Sequence, residues 1–125
     1  MPIRRSVGDG GANLRGDVKF VQFLLNDWRS RNGLSTIKID GLVGPETIDA
    51  ITVFQGKVTG LIDGRVDPNG PALCNLERLH VAVMVAGFQW PEYKPFSSAE
   101  GLPQSFDAVE KLVRQYLVSL RNALG

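Results

Sequence analysis

Asp40-Gly41-Leu42-Val43-Gly44-Pro45-Glu46-Thr47-Ile48-Asp49-Ala50-Ile51-Thr52-Val53-Phe54-Gln55 is the stretch whose reading decides the fold. Asp40-Gly41 predicts a tight turn, because Asp bonds its own following backbone and Gly accepts the left-handed conformation. Pro45 suits the first helical position, where no backbone N–H is needed, and Glu46 complements the helix dipole in the first turn. Ile48, Ile51, Phe54 and Val58 then fall on one helical face until Gly60. Gln55 closes the stretch with an amide able to bond a loop or a ligand.

The same pattern returns downstream. Ile39-Asp40-Gly41-Leu42-Val43 aligns on Ile62-Asp63-Gly64-Arg65-Val66, and with two extra residues in the second copy Ile48 and Ile51 stand opposite Leu73 and Leu76. The repeat predicts a third helix from Gly70 to His80, entered through Asp67-Pro68 or Gly70-Pro71. Beyond it, Val81 to Val85 either extends that helix or forms a short strand. Upstream, Val18, Val21, Leu25 and Trp28 form one stripe, widened by Phe20, Phe23 and Leu24, which predicts a largely buried helix over Asp17–Arg31. Asp17 is its expected N-cap and Asn32-Gly33 its stop. Between this helix and the turn, Ile37, Ile39 and Leu42 are expected to dip into the core. The run Gly8-Asp9-Gly10-Gly11 reads as a flexible leading loop.

The chain closes on a segment from Pro103 to Ala123 in which Phe106, Val109, Val113, Leu117 and Leu120 lie near one line. This is an amphipathic helix, packed on the preceding helices or offered to a partner protein through those five residues. The expected architecture is all-α, with residues 1–80 as one domain, 81–102 as a linker carrying Phe88, Trp90, Tyr93 and Phe96, and 103–125 as the C-terminal helix.

Composition bounds the function. The 125 residues are 43% apolar and carry a formal charge of +1, too little basic excess to neutralise several phosphates, so nucleic acid is not an expected partner. One Cys and one His leave little stock for zinc, haem or iron–sulfur ligation, so no metal and no cofactor is expected. Cys74, among Leu73, Leu76 and Leu79, reads as an inert core thiol. The longest apolar stretch, Val81 to Gly87, is far short of the roughly 20 residues that span a bilayer, so no membrane insertion is expected. The N-terminus lacks the apolar core of a secretory signal, which implies cytoplasmic synthesis and, for any role at the wall, delivery by another route.

With Val21-Gln22-x-Leu24-Leu25 before it and Asp63-Gly64-x-Val66-Asp67-Pro68-x-Gly70 after it, the stretch resembles the small three-helix peptidoglycan-binding module of many cell-wall hydrolases, over residues 6 to 79. The resemblance implies a three-helix bundle with two Asp-Gly loops and a shallow groove that contacts glycan or stem peptide. Ala72 departs from the family, which often has Thr there, and Ser30 to Lys38 is a longer connector than usual. Such a ligand offers carboxylates, amides and hydroxyls, so Asn26, Arg29, Arg31, Asp40 and Gln55 are the candidate ligand-binding residues; the alternative is a solvated helix face plus a turn-stabilising Asp. Trp28 is expected in the core.

Glycan cleavage needs paired carboxylates, one with a raised pKa in an apolar setting, and Glu46 and Glu77 read as helix-surface residues, so catalysis is not expected. The expected function is therefore non-catalytic peptidoglycan binding, targeting a partner such as a hydrolase, effector or secretion component to the wall. The alternative is an adaptor using the same fold in a phage or contact-dependent secretion apparatus.

Overall fold

A computed structural model describes residues 3–84 and 104–124 of the chain. The elements in order are β1 (Val7–Gly8), α1 (Arg15–Arg31), α2 (Pro45–Val58), β2 (Arg65–Val66), α3 (Pro71–Met84) and α4 (Gln104–Leu124). The fold is mostly helical. The one sheet described is an antiparallel pair in which Val7 faces Val66 and Gly8 faces Arg65.

The core explains the apolar stripes. Val18, Val21, Leu24 and Leu25 from α1, Ile51 and Phe54 from α2, and Leu73 and Leu76 from α3 are all buried. Trp28 meets Phe54 edge to face, with ring centroids 5.0 Å apart, and so belongs to this core. Side chains at i, i+3 and i+7 of α3 (Leu73, Leu76 and His80) point inward. Cys74 lies off that line and is exposed, which corrects the expectation of a core thiol.

Local chemistry departs from expectation at three further places. Asp17 does not cap α1, which begins two residues earlier with Leu14 at the N-cap position and no side-chain cap. Its carboxylate is fully buried and accepts the backbone N–H groups of Arg4 and Arg5, both at 3.1 Å, so it anchors the leading segment instead. That segment is tied down as well. Asn13 Oδ1 accepts Gly8 N–H at 2.7 Å, and its Nδ2 donates to Gly8 O at 3.2 Å, which holds the end of β1 against the glycine run expected to be flexible.

Of the three aliphatic residues before α2, only Ile37 enters the core; Ile39 and Leu42 stay exposed, Leu42 at 68%. The residues after His80 take the helical alternative as far as Met84. Expectations for 85–103, including the linker aromatics, lie outside the described residues.

The fourth helix is joined to the others by its apolar face. Leu117 is 2% exposed and belongs to the core, with Tyr116, Leu120 and Leu124 packed against it. No helix of the described residues is long and apolar enough to cross a membrane.

Candidate functional site

Two glutamines organise the loops around α2. Gln22, on α1 and 1% exposed, accepts the backbone N–H groups of Asp40 and Gly41 through Oε1, each at 3.0 Å. Its Nε2 donates to Asp40 Oδ1 (3.1 Å), Leu42 O (3.0 Å) and Thr47 Oγ1 (3.1 Å). Asp40 Oδ1 in turn accepts Leu42 N–H at 3.0 Å, which closes the turn on itself. A planar amide presents two lone pairs and two N–H groups, so one buried side chain can satisfy both strands of a tight loop.

The second clamp repeats this chemistry. Gln55 Oε1 accepts Asp63 N–H (3.2 Å) and Gly64 N–H (2.9 Å), and its Nε2 donates to Asp63 Oδ1 (2.8 Å) and Arg65 O (3.0 Å). Asp63 Oδ1 accepts Arg65 N–H at 3.0 Å. Gly41 and Gly64 both have positive φ, +77° and +72°, which is why the turn recurs on Asp-Gly.

Both aspartates are held below the usual carboxylate range. For Asp40 the leading cause is the Leu42 N–H, followed by the Gln22 amide. For Asp63 it is the Gln55 amide, followed by the Arg65 N–H.

The first clamp opens onto a groove of about 240 Å³ at the start of α2. Asp40, Leu42, Val43 and Thr47 contribute walls, and Lys38 and Glu46 bring one charge of each sign. Leu42 is the exposed aliphatic surface beside it. The groove is shallow and smaller than a usual small-molecule site, and its walls offer polar groups, charges of both signs and some apolar surface.

The candidate ligand residues divide against this geometry. Asp40 lines the groove while holding its loop. Gln55 is committed to the second loop. Asn26 grips Ile37 from both sides, accepting its N–H at 2.8 Å and donating to its carbonyl at 2.7 Å. Arg29 Nε donates to Ser35 O at 2.6 Å, so the long connector is held to α1 by Asn26 and Arg29 together. Arg31 donates to Leu79 O (3.1 Å) and to Asp27 Oδ1 (2.7 Å), linking α1 to α3. These side chains support the frame, and the groove residues are Lys38, Leu42 and Glu46, none of which the sequence marks as ligand-binding.

The candidate partner-docking residues divide likewise. Phe106, Val109 and Val113 have side chains outside the described residues. Leu117 is buried within the chain and Leu120 is partly buried, so this part of the α4 face covers its own domain. Two polar anchors fix it there. Arg121 Nη2 donates to the buried Asp17 Oδ1 at 3.0 Å, lying so close over Gly16 that a Cβ there would stand 2.8 Å from the guanidinium.

The second anchor is a relay across three helices. His80, 4% exposed, bonds Asp27 Oδ2 through Nδ1 at 2.9 Å and the Tyr116 hydroxyl through Nε2 at 2.8 Å. In the tautomer whose Nδ1–H donates to the carboxylate, Nε2 accepts from the Tyr116 hydroxyl. Burial first, and the Asp27 charge second, raise the Tyr116 pKa, which keeps that phenol a donor. Both ring nitrogens are bonded, so the relay ties α1, α3 and α4 together.

Glu77 also departs from expectation. It is half-buried with Oε1 shielded from solvent, and this burial pushes its pKa up to about 7 against the opposing charges of the amino terminus and Arg114. No family model, curated protein or solved structure matches the chain.

Proposed function

We propose that the chain is a non-catalytic peptidoglycan-binding module of the small three-helix type, taking a stem-peptide or glycan segment in the groove beside its first Asp-Gly loop. The observation that carries this reading is the doubled clamp. Gln22 with Asp40-Gly41 and Gln55 with Asp63-Gly64 are the residues on which the resemblance rests, and each does one structural job twice. The first clamp leaves an open groove at its side. Amide and hydroxyl groups around Thr47 and Asp40, the Lys38 ammonium for a carboxylate and the Leu42 surface suit a peptide bearing both polar and apolar groups.

The test is co-sedimentation with purified sacculi at physiological salt. The wild-type chain is expected in the pellet. Leu42→Asp and Lys38→Glu, both exposed and outside the core, are expected to shift it to the supernatant without loss of helical circular dichroism. Complete recovery of folded wild-type protein in the supernatant overturns the reading.

An adaptor reading has one observation of its own. Leu61 and Ile62, 66% and 62% exposed beside the second loop, present adjacent aliphatic side chains that a protein partner would cover better than a glycan. Protein capture from the native host that is abolished by Ile62→Asp and indifferent to Leu42→Asp favours it over wall binding.

A further inference from the structure

On the reading of the groove beside the first Asp-Gly loop as the wall-binding site, its charges decide which part of the wall enters it. Lys38 and Glu46 are exposed on its walls, and among the described residues neither makes an ion pair or a side-chain hydrogen bond. Asp40 adds a second carboxylate, with Oδ1 turned to the Leu42 N–H and the Gln22 amide. Lys38 is the weakest of the influences on Asp40, so the two are not a closed pair.

The two components of the wall meet these groups differently. A glycan strand that carries its peptides is built of hydroxyls, ethers and acetamides, which offer no charge to any of the three side chains. Saccharide sites commonly stack sugar rings on aromatic faces, and among the described residues no aromatic side chain lines the groove. A stem peptide offers both signs. Its diamino acid ends in an ammonium, diaminopimelate has a carboxylate on the same carbon, and alanine methyls stand nearby. At about 240 Å³ the groove is smaller than a usual small-molecule site, so it suits the tip of one such side chain better than a whole muropeptide.

We propose that the groove recognises the diamino-acid side chain of a stem peptide that is not cross-linked, its ammonium meeting Glu46 and Asp40, its carboxylate meeting Lys38 and an alanine methyl resting on Leu42. Cross-linking turns that ammonium into an amide. The amide brings no charge to the two carboxylates, so open stems are held and linked ones are passed over. Because Lys38, Asp40 and Glu46 are all exposed, each ion pair is worth a few-fold in affinity and is screened by salt.

The probes are a soluble tripeptide of alanine, glutamate and diaminopimelate and the same peptide acetylated on the side-chain nitrogen, each titrated into the full chain at low salt. The wild type is expected to bind the free amine roughly fivefold more tightly, the upper range for one exposed pair, and Glu46→Gln to reduce that ratio. Lys38→Gln is expected to weaken both peptides alike. Co-sedimentation with sacculi runs alongside. If sacculi retain the wild type while the two peptides bind equally, while neither binds, or while the ratio survives Glu46→Gln in full, the proposal is overturned and wall binding stands. If sacculi fail to retain the folded chain, both fall together.

Discussion

The two Asp-Gly clamps use the same side chains for the same bonds, yet they close very different lengths of chain. Gln22 reaches across 18 residues to Asp40 and 25 to Thr47, so it fastens α1 to the connector and to the first turn of α2. Gln55 reaches 8 residues to Asp63 and 10 to Arg65, so it folds the end of α2 back on itself. The first clamp has a third acceptor in the Thr47 hydroxyl, and the position aligned with it in the second repeat is Ala72, which has none. A duplicated local motif has become a tertiary fastener in one copy and a local one in the other.

Deleting each amide should expose that difference most clearly. Gln22→Leu leaves the Gly41 N–H buried without an acceptor and releases the Asp40 loop, and we expect a loss of about 4 kcal/mol, given roughly 1–3 kcal/mol for each buried group left unpaired. Gln55→Leu strands the Gly64 N–H in the same way but leaves helix packing intact, for a loss of about 3 kcal/mol. Urea denaturation of the two variants measures both. Equal losses would mean that reach along the chain does not matter to the clamp.

Much of this was legible in the sequence, for definite reasons. The Asp-Gly pairs, Pro45 and the spacing of Ile51 and Phe54 are local signals, and local signals predicted α2 nearly to the residue. The role of Gln22 was hidden because nothing about a glutamine in a helix says that it will be buried, and the loop it holds lies 18 residues further along the chain. Asp17 was misread for a related reason. An Asp at a helix start normally caps, and the partners that draw it inward come from Arg4, Arg5 and Arg121, the last of them 104 residues away. The same distance concealed His80 and Tyr116. Leu42 and Glu46 carry patterns that point to a core contact and to the helix dipole, and Lys38 carries none, since the space all three line is defined by the fold of the loop.

The glycines sharpen the comparison at the next level. An Ala at either Gly41 or Gly64 forces a left-handed residue, at roughly 1–2 kcal/mol. At Gly41 the new Cβ also stands 2.5 Å from Arg15 Cγ and 3.2 Å from Arg15 O, where the backbone cannot yield. At Gly64 the nearest atom is an Ile48 methyl at 3.3 Å. Gly41→Ala should therefore lower the melting temperature further than Gly64→Ala. Below both comes Thr47→Val, which removes one of three acceptors of the Gln22 amide and should cost about 1 kcal/mol.

The smallest expected effect reverses the order of the clamps. Asp40 and Asp63 both have lowered folded pKa values, so each contributes stability above its unfolded value near 3.8 that is lost as pH falls through the folded value. What holds Asp63 low is first the Gln55 amide, whereas Asp40 depends first on the Leu42 N–H within its own turn. An Asx turn can persist without its glutamine, and a side-chain amide that has been deleted cannot. Melting temperatures followed from pH 5 to pH 2.5 should therefore fall less steeply in Gln55→Leu than in the wild type, while Gln22→Leu keeps most of the wild-type slope from a lower starting point. If Gln22→Leu flattens the acid limb more, the aspartates are held low by the buried fastener in the first loop as much as in the second, and the two clamps are electrostatically alike despite their different reach.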